Sequence, residues 1–335
     1  MKTELLDSVE AAAAILRSGG LVAFPTETVF GLGADARNPE AIARVFAAKG
    51  RPSDNPLIVH VADTQQWRLA ARELTPVGSR VLELFAPGPV TVVLPRASTI
   101  CDQATAGLDS VGLRIPAAEA TRALLRQAGI PIAAPSANRS GRPSGTTWQS
   151  VLEDLDGRID AVLCIEVPHV GLESSVIDCL GDAPILLRPG AVGLAALRHH
   201  FPRARQFSPT HDGLEVLAPT LPSPGLQHPH YQPQARVVLL DPEGQIGLVQ
   251  WTGGANDSNL QCAYAGIATG PAGMVLSEQF GSVEDYAQGF YEFLRRADRA
   301  GVDVVLLEAV SQASANQLGV AAALRDRQRR SAGQA

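Results

Sequence analysis

Residues 21–60 read LVAFPTETVFGLGADARNPEAIARVFAAKGRPSDNPLIVH, and their punctuation predicts strand, loop, helix, loop, strand. A short apolar run, Leu21 to Phe24, stops at Pro25. Two hydroxyls and an acid follow (Thr26, Glu27, Thr28), then Gly31 and Gly33. Asn38-Pro39 is an N-cap and first-turn pair, so a helix starts there, with Ile42, Val45 and Phe46 as its buried stripe and Gly50 as its end. Lys49-Gly50-Arg51-Pro52 then lead to a second strand, Leu57 to Val61, which carries His60. Stiff elements holding chemically loaded loops are the usual build of a small-molecule site.

The chain has 335 residues, which favours two domains. A hydrophobic fraction of 45% and a charged fraction of 19% are those of a globular protein with an ordinary core. No apolar run approaches the ~18 residues of a membrane span. The N-terminal MKTELLDSVEAAAAILRSGG has acids inside its apolar stretch and helical spacing, unlike a signal peptide. A net charge of −6 argues against a broad nucleic-acid face but leaves room for a local basic pocket. Cys101, Cys164, Cys179 and Cys262 are scattered without a C-x-x-C, and read as free thiols of a cytoplasmic protein rather than as a metal site or disulfides.

Taken in order, Ser8 caps a helix to about Arg17, and helices are predicted at 64–73, 76–85, 118–128, 147–155 and 193–200. Strands are predicted at Val90–Leu94, Val111–Ile115, Ile132–Ala134, Ala161–Ile165, Ser175–Cys179 and Ile185–Leu187. Residues 208–234 hold six prolines and three histidines with little periodicity, and read as a linker. Beyond it, strands are predicted at Val237–Leu240, Ile246–Val249, Met274–Leu276 and Val304–Leu307, with helices at Tyr286–Arg299 and Asn316–Arg329. Mixed strands and helices argue α/β or α+β, and the last hundred residues a small Rossmann-like domain.

Gly31-Leu32-Gly33-Ala34-Asp35-Ala36 matches the loose dinucleotide pattern G-x-G-x-x-A, but its glycines lie well past the strand and read better as turn-formers. No G-x-x-x-x-G-K-[ST], H-E-x-x-H or G-x-S-x-G occurs. Cations and small hydroxyls punctuate the first part of the chain instead: Lys49, Arg51, Arg114, Arg139, Arg142 and Arg188, with Ser136, Ser140 and Ser144 in one loop. A lone arginine is ordinarily a solvated charge, and a lone His60 a structural histidine. Arg114 and Arg188 differ, because each sits in an apolar strand-like run and an arginine there needs an anion. Phosphates and carboxylates are the anions a guanidinium recognises best.

PTETVFGLG (25–33), KGRPSDNPL (49–57), PGPVTVVL (87–94), GLRIP (112–116), PSANRSG (135–141), GLESSVID (171–178) and LRPG (187–190) occur in the order typical of the YrdC/Sua5 family, and the chain resembles it. SPGLQHPHYQP (223–233) is similar to the SPGM-x-x-x-HY-x-P segment of the longer, Sua5-type members. Phe30 for Tyr, Ser175 for Thr and Leu226 for Met are mild departures.

The resemblance implies an α/β fold: a twisted open sheet with flanking helices and a concave site over residues 1–206, a linker at 207–234 over that site, and a smaller Rossmann-like domain at 235–335. It also implies an activity, the synthesis of threonylcarbamoyl-AMP and diphosphate from L-threonine, bicarbonate and ATP with Mg²⁺. The product would feed N6-threonylcarbamoylation of tRNA adenosine 37 through a downstream transferase complex. By motif position, threonine contacts fall on Thr28, His60, Arg114, the backbone of Ala134, and Ser174. ATP contacts fall on Arg51, Asn55, Ser110, Ser136, Ser144, Arg188 and Tyr231, and Lys49 and Arg51 form the catalytic K-x-R element. An RNA-binding module without synthase activity, touching tRNA or double-stranded RNA, is the alternative.

Overall fold

The computed structural model describes residues 2–208, 231–240 and 260–334. The strand read at Ile246–Val249 and most of the SPGLQHPHYQP segment lie outside them.

Eleven strands form the larger sheet: β1 (Glu4–Leu6), β2 (Val22–Pro25), β3 (Phe30–Asp35), β4 (Ile58–His60), β5 (Val90–Pro95), β6 (Ser110–Arg114), β7 (Ile132–Ala133), β8 (Ala161–Leu163), β9 (Ser175–Asp178), β10 (Ile185–Arg188) and β11 (Arg205–Gln206). Their spatial order is β1-β8-β2-β3-β7-β4-β6-β5-β9-β10-β11, with parallel and antiparallel pairs mixed. The helix Pro39–Lys49 is built as its sequence predicts: Asn38 Oδ1 accepts from the N–H groups of Glu40 and Ala41, and Gly50 closes it in the left-handed region at φ 61°.

The period-2 alternation of strands decides where the site lies. Val59, Val90, Val92, Val111, Leu113, Ala133, Ile177 and Leu186 all enter the main apolar cluster on one face. Their neighbours Ile58, His60, Thr91, Gly112, Arg114 and Val176 point to the other face and line two adjoining cavities there. Register places His60 beside Arg114 across β4 and β6, and Arg114 beside Thr91 across β6 and β5. Arg188 joins this face through an irregularity. The pairing of β9 with β10 slips between Leu186 and Arg188, so Arg188 stands opposite Val176. A bulge of this kind re-aims a side chain.

A second sheet is fully parallel, in the order β12 (Arg236–Leu240), β15 (Val304–Glu308), β13 (Cys262–Gly266), β14 (Leu276–Gln279). The helix Val283–Ala300 buries Tyr286, Ala287, Phe290, Tyr291, Phe293, Leu294 and Ala297, a stripe at helical spacing that packs on this sheet. That apolar cluster also contains Val29, Leu172 and Tyr231, so the two sheets share packing. Gly171 shows how close they come: with φ 78°, a Cβ there would lie 2.4 Å from Gln288 Cα.

Several readings need correction. Residues 30–35 are a strand, not a glycine turn. A Cβ on Gly33 would come within 2.6 Å of the Phe24 ring and 2.8 Å of Ile132, so the glycine leaves room for a packed ring. The helix expected at 64–73 shrinks to one 3₁₀ turn, Trp67–Leu69, because Ala71 bridges to Arg96 and Arg72 N–H donates to Pro95 O at 2.8 Å. The strand expected at 274–276 is Leu276–Gln279. The final helix is two, Gln312–Gln317 and Gly319–Ser331, broken at an extended Leu318. Gly319 is wedged against the 191–193 backbone, where a Cβ would meet Ala191 O at 2.3 Å. The short strands β1 and β11 and the strand Cys262–Gly266 carry too little pattern to be read from sequence.

Candidate active site

The cavity on this face encloses about 640 Å³ including its open mouth. Its wall includes Arg51, His60, Arg114, Ala134, Ser136, Ser174, Arg188 and Tyr231, eight of the thirteen residues singled out above. Six segments of the chain are therefore brought to one concavity.

Arg114 occupies the floor. Its Nη2 lies 2.9 Å from Glu27 Oε1 and donates to Thr28 Oγ1 at 2.8 Å. Thr28 is fully buried and also bonded to Thr26 Oγ1 at 2.8 Å, so it steers Arg114 from behind rather than lining the cavity. Burial pushes the Glu27 carboxyl up, but the guanidinium and backbone N–H groups more than offset this and hold it below the usual carboxylate range. His60 is neutral: burial, then the Arg114 charge, push its pKa down to about 3. Ser174 Oγ shares a 2.8 Å hydrogen bond with Thr91 Oγ1.

Arg188 is clamped by the chain it faces. Its Nε and Nη2 donate to Ser174 O at 3.1 and 3.0 Å. Arg51 Nη2 donates to Asn55 O at 3.3 Å and Pro56 O at 3.2 Å, and burial lowers its pKa to about 10. Ser136 Oγ donates to Asn138 Oδ1 at 2.6 Å. Tyr231 closes this end in the left-handed region at φ 67°, unusual for a side chain of its size. The next residue anchors it, Gln232 N–H donating to Gly141 O at 2.9 Å.

The remaining residues stand off the wall. Lys49 is 2% exposed, and its ammonium donates to the carbonyls of Ser136 and Asn138. Its position beneath the Pro135–Gly141 loop differs from that expected of a cation facing the reacting groups. Burial, then Arg51, hold its pKa well below the usual lysine value. Ser144 is buried and donates to Glu173 Oε1 at 2.6 Å. Asn55 is 2% exposed. Ser110 lines the smaller cavity, which shares Pro56, Leu57 and Ile58 with the main one.

Two acids escaped the sequence reading. Glu27 and Glu173 sit inside quoted motifs, and the signal was there: an arginine buried in a sheet requires a nearby anion. Among the described residues, Arg51 Nε, Asn55 Nδ2, His60 Nδ1 and Arg114 Nε are buried nitrogens without a hydrogen-bond partner. Buried polar atoms are normally satisfied, so the Arg51 and Arg114 Nε donors on this wall call for acceptors from a ligand.

A mixed sheet with flanking helices, whose cavity is lined by three arginines with unpaired donors, defines a binder of small anionic molecules. The chain belongs to the Sua5/YciO/YrdC family. Residues 14–190 match the family model described as telomere recombination, and residues 196–333 match the threonylcarbamoyl-AMP synthase C-terminal domain. It is similar to the threonylcarbamoyl-AMP synthase of Pyrococcus abyssi, 38% identical over 91% of this chain and 89% of the relative. It is also similar to that of Bacillus subtilis, 37% identical over 96% of this chain and 92% of the relative. Among solved structures, P. abyssi Sua5 complexed with L-threonine superposes with a TM-score of 0.88 at 34% identity, covering 100% of this chain and 98% of that one. No helix among the described residues is long and apolar enough to cross a membrane.

Proposed function

We propose that this chain makes L-threonylcarbamoyl-AMP and diphosphate from L-threonine, bicarbonate and ATP. The observation that carries the reading is one cavity whose wall brings together Arg51, His60, Arg114, Ser174, Arg188 and Tyr231, with cations and hydroxyls for a carboxylate and a polyphosphate. The relatives' shared name and the threonine complex of P. abyssi Sua5 support it.

The reaction joins three anions whose mutual repulsion must be offset. The threonine amine takes up bicarbonate with loss of water. A carbamate oxygen then attacks the α-phosphorus in line, and diphosphate leaves. Arg114 receives the threonine carboxylate through its free Nε, and Ser174 and Thr28 fix the floor that reads the substrate's polar groups. A site built to bond a hydroxyl discriminates well against analogues lacking it. His60, with its pKa near 3, contributes a hydrogen bond and not a base at neutral pH. Arg51, Arg188, Asn55 and the Ser136 loop hold the phosphates, with Lys49 supporting that loop from below. Catalysis then comes from positioning and charge stabilisation, with no covalent nucleophile.

Mg²⁺ would enter with ATP and would offset charge on the phosphate oxygens. Among the described residues no group of three or more His, Cys, Asp or Glu side chains is placed to hold a metal, and Glu27 and Glu173 are each paired with an arginine. The product is a mixed anhydride that a transferase acting on tRNA adenosine 37 would consume. The reading is tested by diphosphate release: it should require threonine and bicarbonate together, and release that is equal without threonine would sink it.

A further inference from the structure

Glu173 is a carboxylate on the wall of a cavity that receives two anionic substrates. Left free, it would repel them and compete for their cations. It is not free. Oε1 accepts from Ser144 Oγ at 2.6 Å and Tyr291 OH at 3.2 Å. Oε2 accepts from Tyr291 OH at 2.9 Å and Arg327 Nε at 3.1 Å. Apart from Ser144, these partners come from the two long helices that pack on the second sheet. Arg327 is 0% exposed, 154 residues distant in sequence from Glu173, and lies over the Tyr231 ring at 5.5 Å. A cation sealed this deeply in a C-terminal helix, with its charge aimed at a cavity acid in the loop before β9, is an expensive arrangement for packing alone.

We propose that Arg327 is a positioning residue for the nucleotide: it cancels the Glu173 charge and holds that carboxylate away from Arg188, so the second sheet and its helices complete the phosphate end of the site. The inference rests on the synthase reading above. Every charged or titratable group facing Glu173 fits this role. Arg188 and, further off, Lys49 are the other cations that feel it, and Tyr231 and Tyr291 are phenols held protonated by burial. Asp326 faces Arg327 from its far side and bonds Nη1 at 2.6 Å. Without Arg327, Glu173 would turn to Arg188, the cation assigned here to phosphate.

Removing Arg327 strips the carboxylate of its main counter-charge, so burial raises its pKa from the lowered value with Arg188 alone left to oppose it. ATP use becomes pH-dependent in a stated direction, better when Glu173 is protonated at low pH and worse when it is charged at high pH. The experiment measures the ATP KM of the full chain, as a ratio to wild type, from pH 6 to 8.5 for Arg327→Met, Arg327→Lys, Glu173→Gln and the double variant Arg327→Met/Glu173→Gln. The expected result is a ratio for Arg327→Met that climbs at least tenfold across this range, with the threonine KM moving far less. Lysine should restore part of the loss. The double variant should return to within a few-fold of wild type and lose the pH trend, because the amide keeps the Tyr291 and Ser144 bonds without the charge.

A double variant as impaired as Arg327→Met, or a pH-independent ratio, overturns the proposal and leaves Arg327 a packing residue. Should Arg327→Met fail to fold, equilibrium ATP binding to Glu173→Gln alone decides: unchanged or tighter binding supports the screening role, and a tenfold loss overturns it. Wild type that releases no diphosphate would instead sink the synthase reading, and the ATP-binding arm would still be read.

Discussion

Arg114 Nη2 lies 2.9 Å from Glu27 Oε1 with both side chains sealed from solvent, so the cation at the cavity floor carries a built-in counter-charge. Breaking one side of such a pair costs about 3–5 kcal/mol, because the other charge is left buried and unpaired. Glu27→Ala should therefore lower the thermal midpoint strongly, while Glu27→Gln, which still accepts one hydrogen bond, should cost less. The pH dependence has a definite sign. The Glu27 pKa is lowered in the folded state, so its contribution is present above its unfolded value near 4.5 and is lost as pH falls through the lower folded value. Denaturant titrations at pH 7 and pH 3 check this: the gap between wild type and Glu27→Gln should narrow at the acid end.

His60 should stay neutral through the physiological range. Its folded pKa of about 3 lies below the 6.5 of the free side chain, so the stability linked to it is full above pH 6.5 and declines as pH falls toward 3. Imidazole NMR shifts at pH 5 should still report the neutral form at this residue. A titration midpoint between 6 and 7 would show that the ring is solvated and free to act as a base.

Arg51 and Arg188 should separate in a useful way. Arg51→Ala loses two long hydrogen bonds to carbonyls and should fold nearly as well as wild type. Its ATP kcat/KM should fall by about 10²-fold or more if it faces the transferring phosphorus. Arg188→Lys keeps the charge but not the paired bonds to Ser174 O, and should lose activity with a modest loss of stability. Near-wild-type turnover in either variant removes that residue from the site.

Lys49 should act through the loop it supports. Lys49→Met leaves the carbonyls of Ser136 and Asn138 unsatisfied, at about 1–3 kcal/mol each, and should loosen the Pro135–Gly141 backbone. Faster amide exchange in that loop, together with a raised ATP KM, is the expected pair of effects. A fall in kcat with unchanged exchange would instead place the ammonium at the chemistry.

Tyr231 should matter through its ring more than its hydroxyl. The ring lies 5.4 Å from the Tyr291 ring at a 31° tilt and receives Arg327 at 5.5 Å. Tyr231→Phe should keep most of the turnover, and Tyr231→Ala should lose about tenfold in ATP KM by steady-state kinetics, the scale expected of a lost aromatic and cation–π contact.

The parts legible from sequence were those set by local chemistry. Asn38-Pro39 and Gly50 bound a helix by capping alone, and the short apolar runs Val90–Leu94 and Val111–Ile115 marked strands. Arg114 and Arg188 were flagged because a guanidinium in an apolar run demands a partner. What sequence could not show was which partner, because that depends on pairings across the fold: Glu27 comes back to β6, and Arg327 reaches Glu173 from 154 residues away. The glycines of β3 misled for the same reason, since they accommodate the Phe24 ring and not a turn. The slip in β10 that aims Arg188 into the cavity is likewise a matter of register, invisible in LRPG itself.

The most direct test of the account supplies ¹³C-bicarbonate, L-threonine and Mg·ATP to the purified full chain and examines the adenylate product by mass spectrometry. The account predicts threonylcarbamoyl-AMP carrying one ¹³C in its carbamate, formed only when all three substrates are present and lost in Arg51→Ala. An unlabelled adenylate, or a threonyl-AMP formed without bicarbonate, would contradict it.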